Sequence, residues 1–492
     1  MKSLSKTYHN LLSGTSFCAL AILSGSLLVS CEDLLKEEPR SVSVETFFNT
    51  AAEVETAVNG IFTPLRNTNY AVYETALECQ SDFTNGRGSW APLHGFQGLD
   101  DANITRVGGL WNAFYLSIRN ANLVIRNAPL GKSISAAEVS HYVAEARFMR
   151  AFNYFQLVRN WSGVPIRTEE NMSETDLKKS TAEEVYNLIV ADLLEAEANL
   201  PDNPSVAGRP TRWAAKTMLA DVYLTLGKFA EARDKAKEVI ESGKFSLVPI
   251  TTKTDFQLKV WGPELVSTSE EIFYLKYTRQ LNQGNYILWV SNHPDTKLFN
   301  FGGAYVLYLD VTSNYCTAWN SGDLRKTLWD KVNFGLGANT LVSSKFTDQL
   351  AVSANGAGND DPVYGYPDVL LLYAEASSRA GNGPTAAGME ALNTVRRRAY
   401  GKPSTETSAI DLKLADYNAD TFLNLVLTER SYEFQLGGKR WLDLKRTGKA
   451  AEAVLAATGK TIAQKHYLWP IPVSEMNYNK GLDPAKDQNP GY

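Results

Sequence analysis

The sequence predicts a mainly α-helical protein, and three observations carry that expectation. Apolar residues fall on nearly every turn between positions 137 and 161. Thr181-x-x-Glu184 has the pattern of a capping box and precedes a one-sided apolar stripe. Residues 211–242 hold two helical stretches with small residues spaced as in a close-packed pair.

Taken in order, helical periodicity begins near Val44 and runs to Leu65. Residues 66–110 are rich in Asn, Gly, Ser and isolated aromatics, show no period, and are expected to be irregular. A helix follows over 111–126. In the 137–161 helix, Val139, Tyr142, Val143, Ala146, Phe148, Met149, Ala151, Phe152, Phe155 and Leu157 are apolar, and Gly163-Val164-Pro165 ends it. Val185, Leu188, Ile189, Leu193, Ala196 and Leu200 give the next helix one apolar face, which Pro201 stops.

The pair 211–226 and 230–242 reads Ala220-x2-Tyr223-x3-Gly227-x-Phe229-x2-Ala232-x3-Ala236. Small residues let antiparallel helices approach, Gly227 allows the turn, and the spacing resembles a tetratricopeptide unit. Residues 371–380 and 386–399 form a looser pair, so any repeats are degenerate or interrupted. Residues 245–365 are a second irregular region, with β-like runs at 271–277 and 305–309. Residues 420–444 return to helix. The tail, 467–492, is rich in Pro, Asn and Gly, yet its Leu468-Trp469-Pro470-Ile471-Pro472 segment is expected to pack extended against the body.

Composition narrows the function. The chain is 44% hydrophobic and 21% charged, which excludes wholesale disorder. With 49 Lys and Arg against 54 Asp and Glu, and no basic run, nucleic acid is not the expected partner. Ten Trp, 23 Tyr and 20 Phe either pack between helices or line a ligand surface.

The N-terminus reads as an export signal over residues 1–30. Lys2 and Lys6 form a basic start, and residues 17–29 form an apolar stretch too short to span a membrane. It ends in Leu28-Val29-Ser30-Cys31, which looks like a bacterial lipobox. In that reading the Ser30–Cys31 bond is cut and the Cys31 thiol takes a diacylglyceryl group. A second acyl chain on the new N-terminus makes such an anchor stable. Residues 31–40 would be the tether. Cys79 and Cys316 then remain, read as two separate buried thiols.

Catalytic signatures fail on context. Gly459-Lys460-Thr461 looks like the end of a phosphate-binding loop, but the earlier glycine position is Val454 and an Ala-rich helix precedes it. Gly381-x-Gly383-x-x-Ala386 follows a helix and reads as a helix–helix turn. The histidines His9, His94, His141, His293 and His466 are scattered, so no metal site and no cofactor can be read. Glu429 and Glu433 lie one turn apart, with Arg430, Lys439 and Arg440 nearby, and read as a salt-bridged helix face.

Sugar binding fits the remaining features. Pyranose rings stack their C–H faces on aromatic rings, and their hydroxyls need planar donors and acceptors. Asp82, Asn85, Arg87, Trp90 and Gln97 offer that mixture in the first irregular region; Trp289, Asn292, Tyr315, Trp319 and Asn320 offer it in the second. These loops hold no Arg/Lys cluster, so a neutral sugar is favoured.

Several segments together resemble the SusD/RagB family of outer-membrane lipoproteins of Bacteroidetes. They are Glu145-Ala-Arg-Phe-Met-Arg-Ala-Phe-Asn-Tyr-Phe-Gln-Leu-Val-Arg159; Gly208-Arg-Pro-Thr-Arg212; and Tyr366-Pro-Asp-Val-Leu-Leu-Leu-Tyr-Ala-Glu-Ala376. Further along come Leu392-Asn393-x-Val395-Arg396-x-Arg398-Ala399, Glu429-Arg430-x-x-Glu433, Gly438-x-Arg440-Trp441-x-Asp443-Leu444-x-Arg446 and the terminal Gln488-Asn489-Pro490-Gly491-Tyr492.

The resemblance implies one SusD/RagB-like domain over 41–492. Tetratricopeptide-like pairs would lie in 41–245, an irregular insert with the binding face over 246–365, and helices and tail over 366–492. It implies a non-catalytic glycan-binding protein, lipid-anchored in the outer membrane and facing outward, that serves a SusC-like TonB-dependent transporter. The acidic residues Glu32, Asp33, Glu37 and Glu38 resemble surface-export signals of that phylum. The motif residues Arg147, Arg150, Glu429, Arg440 and Asp443 are expected to be buried ion pairs. The alternatives are capture of peptides by the same architecture, as in RagB-like members, and a lipid-anchored glycosidase.

Overall fold

The side chains just ahead of the helices explain where most of them begin. The computed structural model describes residues 47–66 and 68–492. The export signal and the tether, with Ser30 and Cys31, lie outside the described residues. Helix α1 (Ala51–Phe62) opens on Thr50, whose hydroxyl accepts from the Glu53 N–H while the Glu53 carboxylate accepts from the Thr50 N–H. Asp100 caps α3 (Asp101–Asn127) after α2 (Asn69–Cys79), and Ser135 caps α4 (Ala136–Trp161). Thr181 and Glu184 form the anticipated capping box of α5 (Ala182–Asn199). Each such cap satisfies backbone donors that a helix leaves open, worth about 1 kcal/mol.

The expectation of an irregular stretch over 66–110 is corrected here: α2 lies within it, and α3 starts at Asp101 rather than at position 111. The reasons are physical. Helix α2 is buried nearly all round, from Tyr70 and Ala71 to Leu77 and Cys79, so it carries no one-sided stripe. The first turns of α3 contain Gly108 and Gly109, which hide the period.

Helices α6 (Arg212–Thr225) and α7 (Phe229–Glu241) are the predicted pair. Ala220, Ala232 and Ala236 are fully buried between them, and Gly227 takes a left-handed conformation (φ 74°) at the turn. Next come α8 (Tyr366–Ala380) and α9 (Ala386–Ala399). From α3 to α9 each helix packs on its successor, and α7 meets α8 directly. The repeat stack is therefore continuous in space although residues 242–365 interrupt it in sequence. Its core includes Leu371 and Ala374 on α8, Leu392 and Val395 on α9, and Phe422 and Val426 on α10 (Ala419–Glu433). The helix expected over 420–444 is broken by Gly438 in the left-handed region, and α11 (Lys439–Arg446) and α12 (Ala450–Thr458) follow.

The insert holds most of the short strands. They are β1 (Asn85–Gly86), β2 (Glu271–Leu275), β3 (Leu307–Asp310), β4 (Trp329–Lys331), β5 (Thr340–Ser343) and β6 (Asp361–Gly365). Four form an antiparallel sheet in the order β1-β3-β5-β4; β2 and β6 form a separate pair with an irregular register near Phe273. Gly86 lies opposite Leu307, and Asn85 opposite Tyr308. That pairing joins the first loop region to the second. In the tail, residues 468–472 pack extended, ahead of two short helices (Val473–Tyr478 and Pro484–Asp487): the Trp469 N–H donates to the Asn160 carbonyl at 2.7 Å, and the Trp161 indole donates to the Pro470 carbonyl at 2.8 Å.

Candidate functional site

Where β1 ends, the chain turns through Arg87 and a single turn of tight helix, Gly88–Trp90. The Arg87 N–H continues the ladder by donating to the Val306 carbonyl at 2.9 Å. Helix α3 locks this turn from one side. Asn103 Nδ2 donates to the Ser89 carbonyl at 3.0 Å, and Arg106 donates to the same carbonyl (3.1 Å) and to Ser89 Oγ (2.6 Å). The Arg106 guanidinium stacks 4.1 Å above the Trp90 ring.

Across from this turn is a short helix, Ile287–Ser291. It holds Trp289 against Tyr286 in a stacked pair, with centroids 5.0 Å apart and planes at 22°. Both rings are half-buried. The Trp289 carbonyl accepts from the Ala304 N–H at 2.7 Å, which closes the loop beneath. Gly303 makes that closure possible, because a Cβ there would sit 2.0 Å from the Asn292 carbonyl oxygen. Arg87 lies over the Tyr305 ring at 3.8 Å and donates to the carbonyls of Tyr305 (3.2 Å) and Ala304 (3.3 Å).

Together these residues enclose a groove of about 460 Å³, lined by Arg87, Ser89, Trp90, Arg106, Tyr286 and Trp289 with smaller neighbours. Among the described residues that line it, none is a carboxylate. Aromatic faces beside fixed donors suit a ring with an apolar face and polar edges.

The structure brings Arg87, Trp90 and Trp289 of the ten sequence-predicted residues into this groove. Trp90 is only 8% exposed and its face is covered by Arg106, so it supports the groove rather than offering an open platform. The other seven leave the site. The Asp82 carboxylate is held by Arg440 at 2.7 and 2.8 Å. Asn85 is a ladder residue of β1, and Gln97 is exposed outside the groove. Asn292 is buried, its side-chain oxygen accepting from Thr296. Tyr315 stacks on Phe83 at 4.2 Å and donates to the Ser431 carbonyl. Trp319 is 2% exposed, stacked on Tyr432 at 4.2 Å, with its indole donating to Asp323. Asn320 accepts from the Gly322 N–H in a local turn. For Asp82, Tyr315 and Trp319 the cause is that α10 and α11 supply partners that loop composition does not reveal.

Sequence reasoning also left Tyr286 and Arg106 out of the candidate set. The spacing Tyr286-x-x-Trp289 was the legible signal for the first; nothing local signalled the second.

Elsewhere the charged motif residues are structural. Arg150 donates to Asp192 at 2.7 and 2.8 Å and to Asn122 at 2.8 Å. The reading of Glu429 and Glu433 as a helix face paired with Arg430, Lys439 and Arg440 is corrected: both are buried, and their partners are Arg325 and Arg398. A cavity of about 320 Å³ beside α4, α6, α8 and α11 is lined by ion pairs such as Lys439 with Asp368 (2.6 Å) and Arg446 with Asp443 (2.7 Å), and by Lys445, which donates to the backbone carbonyls of Arg159 and Tyr467. There burial, aided by the charge of Arg159, pushes the Lys445 ammonium down to about 7. Cys79 and Cys316 are separate buried thiols. Among the described residues no helix is long and apolar enough to cross a membrane.

Comparison with known proteins follows the same outline. A SusD-like family model described as starch-binding and associating with outer membrane matches residues 33–224, and the SusD family model matches 296–492. SusD-like protein P2 of Formosa agariphila is 27% identical, over 94% of this chain and 97% of its own length. A SusD homolog from Bacteroides thetaiotaomicron superposes with a TM-score of 0.77 at 22% identity, over 91% of this chain and 98% of that one. Surface glycan-binding protein A from Bacteroides fluxus gives 0.76 at 22% identity, over 90% and 100%.

Proposed function

We propose, from the premise that this chain belongs to the SusD/RagB family, that it is a non-catalytic protein which captures glycan at the cell surface. The observation that carries this reading is the stacked Tyr286–Trp289 pair, facing a groove whose opposite wall holds fixed donors. Stacked, half-exposed rings present a flat apolar face to a sugar, while guanidinium and hydroxyl groups meet its edges. The starch-binding description of the matched family and the glycan-binding name of a similar structure support the same ligand class.

In this reading the acylated Cys31 anchors the chain in the outer membrane. Residues 31–40 act as a tether, and the body hands its cargo to a SusC-like TonB-dependent transporter. The helical stack serves as the scaffold and the insert as the capturing face.

The test is affinity electrophoresis of the full chain, solubilised in detergent, through gels containing plant, fungal or host polysaccharides, with product analysis on the same mixtures. Capture predicts retardation by at least one glycan without new reducing ends. Trp289→Ala should weaken it by about tenfold or more, equivalent to about 1.4 kcal/mol. Retardation by none of them, or the appearance of new reducing ends, counts against the proposal.

A further inference from the structure

We infer that the groove selects an anionic sugar, a pyranose bearing a carboxylate or a sulfate ester. This rests on the glycan-capture reading and adds a substrate class to it.

The argument begins with charge. Arg87 and Arg106 both line the groove, and among the described residues no carboxylate does. Among the described residues neither guanidinium has a carboxylate oxygen within ion-pair distance, whereas Arg150, Arg325, Arg440 and Arg446 all do. The Asp100 charge acts on Arg106 through space without an ion-pair contact, and its Oδ1 accepts from both the backbone and the side chain of Asn103. The hydrogen bonds that Arg87 and Arg106 make all end on neutral oxygens, those of Tyr305, Ala304, Ser89 and Asn103. Among the described residues, Arg87 Nη1 and Arg106 Nε make no hydrogen bond. The chain as a whole carries a formal charge of −5, so this concentration of positive charge is local.

Geometry strengthens the point. Each guanidinium is pinned on a ring, Arg87 on Tyr305 and Arg106 on Trp90. A planar donor held in place loses little freedom on meeting a planar or tetrahedral oxyanion, which it can grip with two parallel hydrogen bonds. A neutral sugar would leave both charges facing hydroxyls alone. An anionic ligand departs from the neutral sugar that loop composition favours. That composition could not register Arg106, which reaches the groove from α3.

The experiment measures binding of the full chain in detergent to four polymers: polygalacturonate, its fully methyl-esterified form, a sulfated galactan and its desulfated form. One charged polymer should bind about tenfold tighter than its uncharged counterpart, with the gap closing in about 1 M salt. Preference for polygalacturonate assigns a carboxylate, and preference for the sulfated galactan assigns a sulfate ester. Arg87→Gln and Arg106→Gln should each shrink the gap, and Arg106→Lys should restore part of it, with near-ultraviolet circular dichroism showing that each variant is folded. Equal binding of charged and uncharged forms, unchanged in the Gln variants but lost in Trp289→Ala, overturns the charge assignment and leaves glycan capture standing. Retention of none of the four overturns the charge assignment; capture itself then stands or falls on the wider polysaccharide panel. Binding of acidic peptides in place of every glycan overturns both.

Discussion

Arg325 lies fully buried among three carboxylates, with Asp323 and Glu429 at 2.6 Å and Glu433 at 2.9 Å. Glu433 also holds Arg398, which in turn reaches Glu270 at 2.9 Å. Removing the central cation strands buried negative charge, and a one-sided break of that kind costs about 3–5 kcal/mol. Arg325→Met should therefore lower the unfolding free energy, measured by urea denaturation, by that amount or prevent folding. An unchanged midpoint would show that the carboxylates had found other partners. Glu78 makes a second residue-scale prediction, about pH. Burial pushes its carboxyl up to about 7, although the Gly438 N–H and the Thr84 hydroxyl donate to it. In the unfolded chain it titrates near 4.3. Between those values the folded state holds a proton that the unfolded state has lost, so stability is highest below the window and falls as pH rises through it. Asp443 behaves oppositely. Burial works against its charge, but Arg430 and Arg446 hold it down to about 2, so its contribution is lost only in acid. Glu78→Gln should flatten the decline between pH 5 and pH 8 by on the order of 2–3 kcal/mol, read from urea midpoints. Equal slopes in both proteins would refute the assignment.

At the scale of elements, the junction between α10 and α11 shows how closely helices are held. Gly438 has φ 62°, and a Cβ there would lie 3.1 Å from the Glu74 Cα and 3.2 Å from the Leu77 Cβ on α2. Gly438→Ala must strain the turn and push α2 away, at a cost of about 1–3 kcal/mol. A lowered melting temperature checks this, and a rise would mean that the turn relaxes freely. The elements that the sequence makes legible share one trait: α4 to α7 and α9 announce themselves by period or by caps. Helix α2 does not, since Glu74 and Glu78 occupy buried positions where a pattern reader expects apolar residues. The same limit governs the groove. Aromatic residues among polar neighbours single out the loops of Trp90 and Trp289, and both residues line the groove. Which rings face inward depends on partners far along the chain, and Tyr432 on α10 is what buries Trp319.

For the whole molecule, the long-range ties decide what can fold alone. Residues 48–492 form one compact unit. The apolar surface of α4 is completed by the other half of the chain: Phe273 of β2 meets Phe148 edge-on at 4.9 Å, and Trp469 meets Trp161 at 5.0 Å. Asn489 donates to the carbonyls of both Trp161 (3.0 Å) and Trp469 (2.7 Å), which ties the last residues to the end of α4. Deleting residues 467–492 removes Trp469, Ile471, Met476 and Leu482, all buried, and leaves the Trp161 indole without its acceptor. At about 1.5–3 kcal/mol for each buried side chain the loss approaches the 5–15 kcal/mol by which a domain is stable at all. The shortened chain should lose near-ultraviolet circular dichroism and elute as aggregate. The groove residues are not touched by the deletion, so any loss of glycan binding would follow from loss of the fold. A shortened chain that unfolds cooperatively at the full-length midpoint would show that the tail only covers a core stable without it.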